Sequence, residues 1–319
     1  MKSLGLLLLG SAFSAGVYGR NVLYDRGIFR TRKLRGPVVS VGNLSVGGSG
    51  KTPFVLRIGA VLKSRKVRFD VLSRGYGRKT RGVALVNPGG SASEFGDEPL
   101  LIARKLEIPV VVGEDRFEAG RFAEEHFGPQ LHILDDGFQH RSLARDFDIV
   151  LVTAEDTRDR LLPLGRMREP LSSLRRADAI VLTSGAPRES FPVDGKLVWR
   201  ARRGIVPRRV PDRVVAFCGI ARPQNFFRQL RTAGIHPVAE AVYRDHHPYT
   251  PRDIAELLDL RHRSEADGFV TTEKDAINLG ERLGELGMVS VIPARMRLED
   301  PGDVVETILR VIEERRHEA

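Results

Sequence analysis

Cysteine is nearly absent from this chain, and its scarcity excludes one class of fold. A single cysteine, Cys218, occurs among 319 residues, so an internal disulfide framework of the kind that staples small secreted proteins cannot form. Cys218 follows the apolar run 214–217, which predicts a small core residue rather than a nucleophile. The cysteine content therefore favours a reducing, cytoplasmic compartment.

Aromatic residues are also sparse, and motifs for nucleic-acid binding are missing. Phe, Trp and Tyr make up 7% of the sequence, and we find no helix-turn-helix, zinc-finger spacing or aromatic-basic RNA-binding motif. The formal net charge is nevertheless +10, which indicates an anionic partner. The charge alone fits nucleic acid, an anionic membrane surface or a phosphorylated substrate. Because the motifs are missing, we expect no nucleic-acid partner.

The most informative stretch that is present, residues 37–56, reads as a buried strand, a glycine-rich loop and the start of a helix. That order predicts a phosphate-binding loop for a nucleoside triphosphate such as ATP. The glycines let backbone N–H groups curl around an anion, and the helix adds the positive end of its dipole. Lys51 is expected to reach the outer phosphates, and the Thr52 hydroxyl to bind Mg²⁺. The predicted nucleotide-binding residues are Ser45, Val46, Gly47, Gly48, Ser49, Gly50, Lys51 and Thr52.

The N-terminus lacks charge, since residues 3–19 contain no acidic or basic side chain. The basic residues that follow are Arg20, Arg26, Arg30, Arg32, Lys33 and Arg35. A cleaved signal peptide is one alternative, but it would export a nucleotide-binding enzyme from its ATP supply. A spanning helix is another, but it needs about 20 apolar residues and this stretch is shorter. A helix that packs on the protein's own core is a further alternative. The pattern best fits a helix that lies in the membrane interface, held by basic residues on anionic headgroups.

Two acids end an apolar strand downstream of the predicted phosphate-binding loop. Asp135 and Asp136 alternate faces, so one carboxylate can face a metal ion and the other a neighbouring side chain. His140 is close enough in sequence to join them. The alternative is a plain turn, because Asp136 precedes glycine.

Three further loops carry polar residues, and the sequence leaves their roles open. Asp97 precedes Glu98 and a proline, a pattern that fits either a helix cap or a catalytic base. Arg74 and Tyr76 lie on a glycine-rich loop that suits phosphate or sugar contacts, or an ordinary surface loop. An Asp-His-His run at 245–247 could hold an acid–base group or be structural.

Strands that alternate with helices predict an α/β fold, with a mostly parallel sheet of the P-loop NTPase type covered by helices on both faces and a smaller α/β second domain. Apolar runs predict strands at 38–41, 67–72, 83–86, 110–112, 131–134, 149–152, 179–182, 214–217, 237–242, 268–271 and 289–292. Helical patterns occur at 52–64, 99–106, 115–127, 224–233, 251–260 and 301–316. We divide the chain into a membrane-associated N-terminal segment (1–36), a kinase domain (37–198), a solvated arginine-rich connector (199–213), the smaller domain (214–298) and a C-terminal helix (299–319).

Seven motifs occur in one order along the chain, and together they resemble the tetraacyldisaccharide 4′-kinase family, the lipid A 4′-kinases of Gram-negative bacteria. They are Val-Gly-Asn-Leu-Ser-Val-Gly-Gly-Ser-Gly-Lys-Thr-Pro (41–53), Ser-Arg-Gly-Tyr-Gly (73–77), Gly-Asp-Glu-Pro (96–99), Asp-Asp-Gly-Phe-Gln-His (135–140), Gly-Arg-Met-Arg-Glu-Pro (165–170), Asp-His-His (245–247) and Thr-Thr-Glu-Lys-Asp (271–275). The resemblance extends to about residue 298. Ser45, where the loop pattern usually begins with glycine, also fits the family.

The resemblance implies an enzyme that uses ATP and Mg²⁺ to phosphorylate the 4′-hydroxyl of a lipid A precursor, a tetraacylated glucosamine disaccharide 1-phosphate. It would act at the cytoplasmic face of the bacterial inner membrane as a peripheral or monotopic protein on that anionic surface. By motif matching, Asp97 would be the base, paired with His246 unless the match slips to His247, and Asp135 would assist Thr52 in holding Mg²⁺. The other implied active-site residues are Asp136, His140, Glu169, Arg74 and Tyr76.

Two other functions remain open at the level of sequence. One is a membrane-docked P-loop ATPase that drives assembly or positioning, and the other is a nucleic-acid-dependent NTPase suggested by the charge alone. Stimulation of ATP consumption by a lipid disaccharide, by membranes alone or by DNA would distinguish the three.

Overall fold

The computed structural model describes residues 2–183, 185–207 and 209–317 and contains two β-sheets. The strands are β1 (Val38–Asn43), β2 (Phe69–Ser73), β3 (Ala84–Leu85), β4 (Val110–Val112), β5 (Leu131–Asp135), β6 (Phe147–Thr153), β7 (Ala179–Thr183), β8 (Leu197–Ile205), β9 (Val214–Cys218), β10 (Ala239–Val242), β11 (Gly268–Thr272), β12 (Val289–Ile292) and β13 (Ala294–Leu298). The helices are α1 (Lys2–Asp25), α2 (Lys51–Ser64), α3 (Ala92–Phe95), α4 (Asp97–Leu106), α5 (Arg116–Phe127), α6 (Pro223–Thr232), α7 (Pro251–Arg263), α8 (Glu273–Leu279) and α9 (Pro301–His317).

The larger sheet has the strand order β13-β8-β7-β6-β1-β5-β2-β4-β3. Its inner strands run parallel, and the antiparallel pairs β13–β8 and β3–β4 lie at the two edges. The valine- and isoleucine-rich strands β1, β5, β6 and β7 are buried along their full lengths, as expected for parallel strands covered on both faces. The predicted α/β fold class is therefore confirmed.

The smaller sheet is parallel throughout, in the order β10-β9-β11-β12. Helix α6 buries Phe226, Phe227 and Leu230 in one of its cores, and α7 buries Ile254 and Leu257 in the other. The loops that follow β9 and β10 face the loops that follow β1 and β2, since Ala221 lies close to Gly47 and His246 close to Tyr76. In open parallel sheets ligands bind beyond the carboxyl ends of the strands, so a site is expected where the two sheets meet.

The arginine-rich stretch near residue 200 differs from the solvated connector that the sequence predicts. Residues Leu197–Ile205 form β8, which pairs with β7 on one side and β13 on the other. Arg200 and Arg202 are exposed and Ala201 between them is buried, as in a strand, but the density of arginines gives the sequence the composition of a solvated segment. Strand β13 then brings the chain back to the larger sheet after β12. The division into domains stays a prediction, but the smaller sheet is an insertion between two strands of the larger one.

The C-terminal helix completes the core of the larger sheet. Helix α9 buries Val304, Val305, Ile308 and Ile312, the face that its sequence predicts, and this face packs with α2 in one continuous core. The predicted segments 1–36, 37–198, 199–213 and 299–319 also include Met1, Ser184, Arg208, Glu318 and Ala319, which lie outside the described residues.

The N-terminal helix α1 is longer than the uncharged segment predicted for it. It has 24 residues, and its part from Gly5 to Asp25 is long and apolar enough to cross a membrane by length and composition. The leucines at 6, 7, 8 and 9 are between 43% and 65% exposed. Near its C-terminus Asn21 is buried, and Asp25 forms an ion pair with Arg141. One end of α1 is thus docked on the protein, and the other presents leucines to its surroundings.

Candidate active site

The loop between β1 and α2 has the backbone of an anion-binding nest. Gly47, Gly48 and Gly50 have φ values of 66°, 75° and 92°, which residues other than glycine rarely adopt. A Cβ at Gly47 would also lie 2.4 Å from the Cβ of Ala221, which follows β9 in the smaller sheet. Helix α2 begins at Lys51 without a capping side chain, so its first N–H groups and its dipole are available to an anion.

The first half of this loop is stiffened by the segment 165–168, part of one of the motifs. Ser45 is buried and forms an antiparallel bridge with Met167. The N–H of Val46 donates to the carbonyl of Arg166 at 2.8 Å, and the Arg166 guanidinium donates to the carbonyl of Val46 at 2.9 Å. The loop is therefore held in shape before any ligand binds.

Lys51 lies in a network that holds its ammonium group at the mouth of the loop. Its Nζ donates to Asn43 Oδ1 at 3.0 Å and lies 3.3 Å from Asp136 Oδ1. Asp136 also accepts from Arg168 at 2.9 Å. Burial raises the pKa of Asp136, but Lys51 and Arg168 outweigh it and hold that pKa well below the usual range. Asp136 is thus an ionised partner that positions Lys51. Its φ of 51° also places it in the turn before Gly137 that the sequence offers as an alternative.

Asp135 is the residue best suited to a metal ion. It ends β5, is 1% exposed, and neither of its carboxylate oxygens has a hydrogen-bond partner among the described residues. Burial and the carboxylates of Glu98 and Asp136 raise its pKa to about 8. A buried carboxylate without a partner is costly, and a divalent cation between it and the Thr52 hydroxyl would relieve that cost. The oxygen ligands present therefore fit Mg²⁺. Since the described residues contain no complete set of metal-binding side chains, phosphate and water would supply the other ligands.

Arg116 lies beside the two acids and close to a second arginine, Arg74. Arg116, at the start of α5, is 6% exposed. Burial and the charge of Arg74 lower its pKa to about 10, against the opposite effect of Asp136 and Asp135. Arg74 was predicted to contact ligand, whereas nothing in the sequence singled out Arg116.

His140 lies in the turn that follows β5 and is half-buried. Its Nε2 is 3.1 Å from Ser142 Oγ. Burial and the charge of Arg116 lower its pKa to about 4, so its imidazole is neutral at neutral pH. The structure places it near Arg116 rather than against Lys51 or Asp97.

Asp97 and His246 meet across the two sheets. Asp97 opens α4 and is 3% exposed, and His246 lies in the loop after β10. His246 Nδ1 donates to Asp97 Oδ2 at 2.8 Å and lies 3.0 Å from Oδ1. Burial raises the pKa of Asp97, but Lys274 and the hydrogen bond from His246 outweigh it and lower that pKa to about 2. Burial lowers the pKa of His246, but the bond to Asp97 outweighs it and raises that pKa above its usual value.

The neighbouring histidine is occupied elsewhere. His247 Nε2 lies 3.1 Å from Asp253 Oδ2, and its ring stacks on Tyr243 at 4.8 Å. The structure thus brings His246, and not His247, to Asp97. Tyr76 reaches the same place from the loop after β2, with its ring centroid 5.0 Å from that of His246.

Glu169 lies apart from the other predicted site residues. It is fully buried and accepts from Asn21 at 2.9 Å, Arg20 at 3.2 Å and Arg176 at 2.9 Å. Arg20 and Asn21 belong to α1. In this structure Glu169 therefore anchors the N-terminal helix, and no contact links it to Lys51, Asp97 or His246 among the described residues.

A cleft between the two sheets runs past the glycine loop and His246. Its polar part is bordered by the glycine loop, Glu98, Asp245, His246 and Lys274. Its other end is apolar and is formed by Ile205, Ile220, Phe226, Ile292 and Ala294. Phosphate-binding groups next to an apolar slot are the arrangement that a nucleotide requires. Sequence reasoning missed the apolar end, since its residues come from three strands, one helix and the loop after β9 and share no motif.

Two arginines of the cleft were also missed. Arg203 on β8 lies 3.4 Å from the carbonyl of Gly48, and Arg222 forms an ion pair with Glu155 at 3.2 Å. Both border the glycine loop. The sequence analysis places Arg203 in the connector, and the alternation of arginines with Ala201 is the sequence signal for a strand there.

Comparisons with known proteins identify the family of this chain. A family model described as tetraacyldisaccharide-1-P 4′-kinase matches residues 3–313. A tetraacyldisaccharide 4′-kinase of Koribacter versatilis is 51% identical over 97% of this chain and 99% of its own length, and one of Aquifex aeolicus is 42% identical over 82% and 84%. A crystal structure of LpxK from Aquifex aeolicus in complex with ATP has a TM-score of 0.78 and 36% identity, and the match covers 98% of this chain and 100% of that one. The chain therefore belongs to the tetraacyldisaccharide-1-P 4′-kinase family.

Proposed function

We propose that this chain is an ATP-dependent kinase of lipid A biosynthesis that transfers the γ-phosphate to the 4′-hydroxyl of a tetraacylated glucosamine disaccharide 1-phosphate. Family membership supports the activity. The observation that carries the mechanism is the Asp97–His246 pair at a phosphate-binding loop. Asp245, next to His246, has its Oδ2 3.5 Å from where a Cβ of Gly47 would lie, so the pair borders the loop.

The loop binds the ATP phosphates through backbone N–H groups and the start of α2. Lys51, held by Asn43 and Asp136, places a positive charge where the transferred phosphoryl group gains negative charge. The apolar end of the cleft, with Phe226 and Ile292, suits the adenine ring. ATP is thereby oriented with its γ-phosphate toward the Asp97–His246 pair.

Asp135 and Thr52 are the residues that would hold Mg²⁺. When bound, Mg²⁺ would neutralise charge on the β- and γ-phosphates. Arg116, beside Asp135, and its neighbour Arg74 supply positive charge for anionic groups of the nucleotide or the lipid substrate.

The acceptor hydroxyl attacks the γ-phosphorus, so a bond forms between them while the bond from γ-phosphorus to the bridging oxygen breaks and ADP leaves. The hydroxyl proton passes to the Asp97–His246 pair. Both oxygens of Asp97 already accept hydrogen bonds, from the N–H of Glu98 and from His246, so the imidazole is the part of the pair that holds the proton. Asp97 orients the ring and compensates its charge. This assigns the base function to the pair rather than to Asp97 alone.

The location that we propose is the cytoplasmic face of the inner membrane, with the chain peripheral or monotopic. Exposed apolar residues lie at both ends of α1: the leucines at 6–9 near its start, and Ile28 and Phe29, at 60% and 42% exposure, on the surface that also carries the basic residues after its end. Such a surface suits an anionic bilayer in which the lipid substrate resides.

The test uses γ-labelled ATP, Mg²⁺ and purified tetraacyldisaccharide 1-phosphate in mixed micelles. We expect label in the lipid, on the 4′-oxygen. ATP hydrolysis without labelled lipid, or hydrolysis stimulated by empty vesicles alone, would contradict the proposal and favour an ATPase.

A further inference from the structure

Two side chains besides His246 contact the carboxylate of Asp97. Its Oδ2 accepts from Asn278 Nδ2 at 3.0 Å, and Lys274 Nζ lies 3.9 Å from the same oxygen. Lys274 also donates to Glu98 Oε1 at 3.1 Å. Lys274 and Asn278 both belong to α8, which follows β11 of the smaller sheet.

The sequence explains why both side chains reach one carboxylate. Positions 274 and 278 are four apart on a helix, so they share one face. Ile277 and Leu279 are buried and hold α8 against the protein. That packing faces Lys274 and Asn278 toward the start of α4, the helix that begins with Asp97.

The environment keeps these groups charged and fixed. The side chain of Asp97 is 2% exposed and that of Lys274 is 20% exposed. Burial lowers the pKa of Lys274, but Glu98 and Asp97 outweigh it and raise that pKa above its usual value. With His246, Asn278 and the N–H of Glu98 on its two oxygens, the Asp97 carboxylate has no freedom to rotate. The orientation of the His246 ring follows from that of Asp97.

We propose that Lys274 and Asn278 are positioning residues for phosphoryl transfer, which hold Asp97 in the orientation that aims His246 at the acceptor hydroxyl. This inference rests on the proposed function. Because α8 belongs to the smaller sheet and α4 to the larger one, the same contacts fix the two sheets in the arrangement in which the Asp97–His246 pair exists. Lys274 acts on Asp97 rather than on ATP.

The kinetic test compares Lys274→Met, Lys274→Arg and Asn278→Ala with the wild type. Lys274→Met and Asn278→Ala should each lower kcat about 10- to 100-fold, because small displacements of an aligned group have such effects. The Kd for ATP should change by less than about threefold, and Lys274→Arg should recover most of kcat. A matched control is Lys105→Met, because Lys105 pairs with Glu273 across the same α4–α8 contact without approaching Asp97. It should leave kcat within about twofold of the wild type.

A second readout needs no acceptor and so separates this inference from the proposed function. The groups that face His246 are Asp97 and Glu98 on α4, Lys274 on α8, Asp245 beside it and Tyr76 after β2. The charge of Lys274 lowers the pKa of His246, so Lys274→Met should raise the NMR titration midpoint of that imidazole. Its signal is assigned by its loss in His246→Ala. Lys105→Met should not move the midpoint.

Three results would overturn the inference. The first is a large increase in the ATP Kd of Lys274→Met with kcat retained, which would make Lys274 a nucleotide ligand. The second is an unchanged His246 midpoint in Lys274→Met. The third is a kcat loss in Lys274→Met that multiplies with that of Asp97→Asn, since a positioning residue has little to add once its target is gone. Failure of the wild type to label lipid would refute the kinase proposal. The NMR result would still show whether Lys274 acts on the Asp97–His246 pair.

Discussion

At the scale of residues, Lys51 offers the most direct test of the proposed nucleotide-binding site. Lys51→Ala should lower kcat/KM at least about 100-fold, because one charged donor to the transferred group is typically worth about 3–4 kcal/mol in the transition state. The fold should survive, since Asp136 keeps Arg168 as its partner.

The matched control for Lys51 lies on the same helix. Lys63 forms a pair with Glu107 on the surface, and Lys63→Ala should leave kcat/KM unchanged. Turnover of labelled ATP with lipid acceptor, alongside circular dichroism, measures both variants. A Lys51→Ala enzyme with nearly normal turnover would refute the nucleotide site.

The protonation of His246 should set the acidic limb of the pH–rate profile. Its pKa is raised above the ordinary value of 6.5, since its bond to Asp97 outweighs burial, so the imidazole is able to accept a proton only above that pKa. We expect kcat/KM to fall as the pH falls through a midpoint above about 6.5. Asp97, with a pKa of about 2, remains ionised throughout this range. A profile that is flat between pH 6 and 8, or a limb that is unchanged in His246→Ala, would contradict this assignment.

At the scale of elements, the docking of α1 on the rest of the protein depends on one buried carboxylate, that of Glu169. Glu169 binds Arg20 and Asn21 of α1 together with Arg176, and Glu169→Ala would leave Arg176 buried without its partner. Loss of one member of a buried ion pair typically costs about 3–5 kcal/mol. Denaturant unfolding should therefore show a clear loss of stability. By contrast, Glu118→Ala, which removes an exposed pair with Arg32, should cost less than about 1 kcal/mol.

The result at Glu169 also distinguishes two roles for that residue. If Glu169→Ala keeps wild-type stability and loses turnover, its role is in the active site, as the family resemblance implies, and the anchoring role is wrong. Loss of stability with turnover retained at low temperature would support anchoring.

The exposed end of α1 should carry membrane affinity. Burial of a leucine side chain is typically worth about 1.5–3 kcal/mol, so Leu8→Glu with Leu9→Glu should weaken binding to anionic vesicles at least about tenfold. Met288→Glu is the matched control, because Met288 is an equally exposed apolar residue, at 60%, on the smaller-sheet side. Vesicle sedimentation measures both. Equal binding by the leucine variant and the wild type would contradict the membrane role of α1.

Much of this arrangement could be predicted from sequence, because its signals are local. The strand, glycine loop and helix around Lys51 are contiguous, and the apolar runs located most strands to within two residues. Strand β8 was missed because its arginines concealed the alternation, and the structure shows that one of them, Arg203, faces the loop. The contacts of Lys274 and Asn278 with Asp97 join α8 to α4, which are about 180 residues apart, so no single motif encodes them.

At the scale of the whole molecule, the active site exists only where the two sheets meet. The larger sheet supplies the phosphate-binding loop, the two acids and Asp97, and the smaller one supplies His246 and Ala221, which lies close to Gly47. Neither sheet alone carries both the ATP site and the complete pair. The proposed chemistry therefore requires that Asp97 and His246 act as one unit across this junction.

A double-mutant cycle on turnover with the lipid acceptor tests that claim most directly. Asp97→Ala and His246→Ala should each lower kcat about 10²- to 10⁴-fold without loss of ATP binding, and the double variant should be little worse than either. His247→Ala, a change in the adjacent histidine that instead contacts Asp253, should have a small effect. If the two single losses multiply in the double variant, or if His247→Ala is the damaging change while His246→Ala is silent, the Asp97–His246 pair is not the catalytic unit.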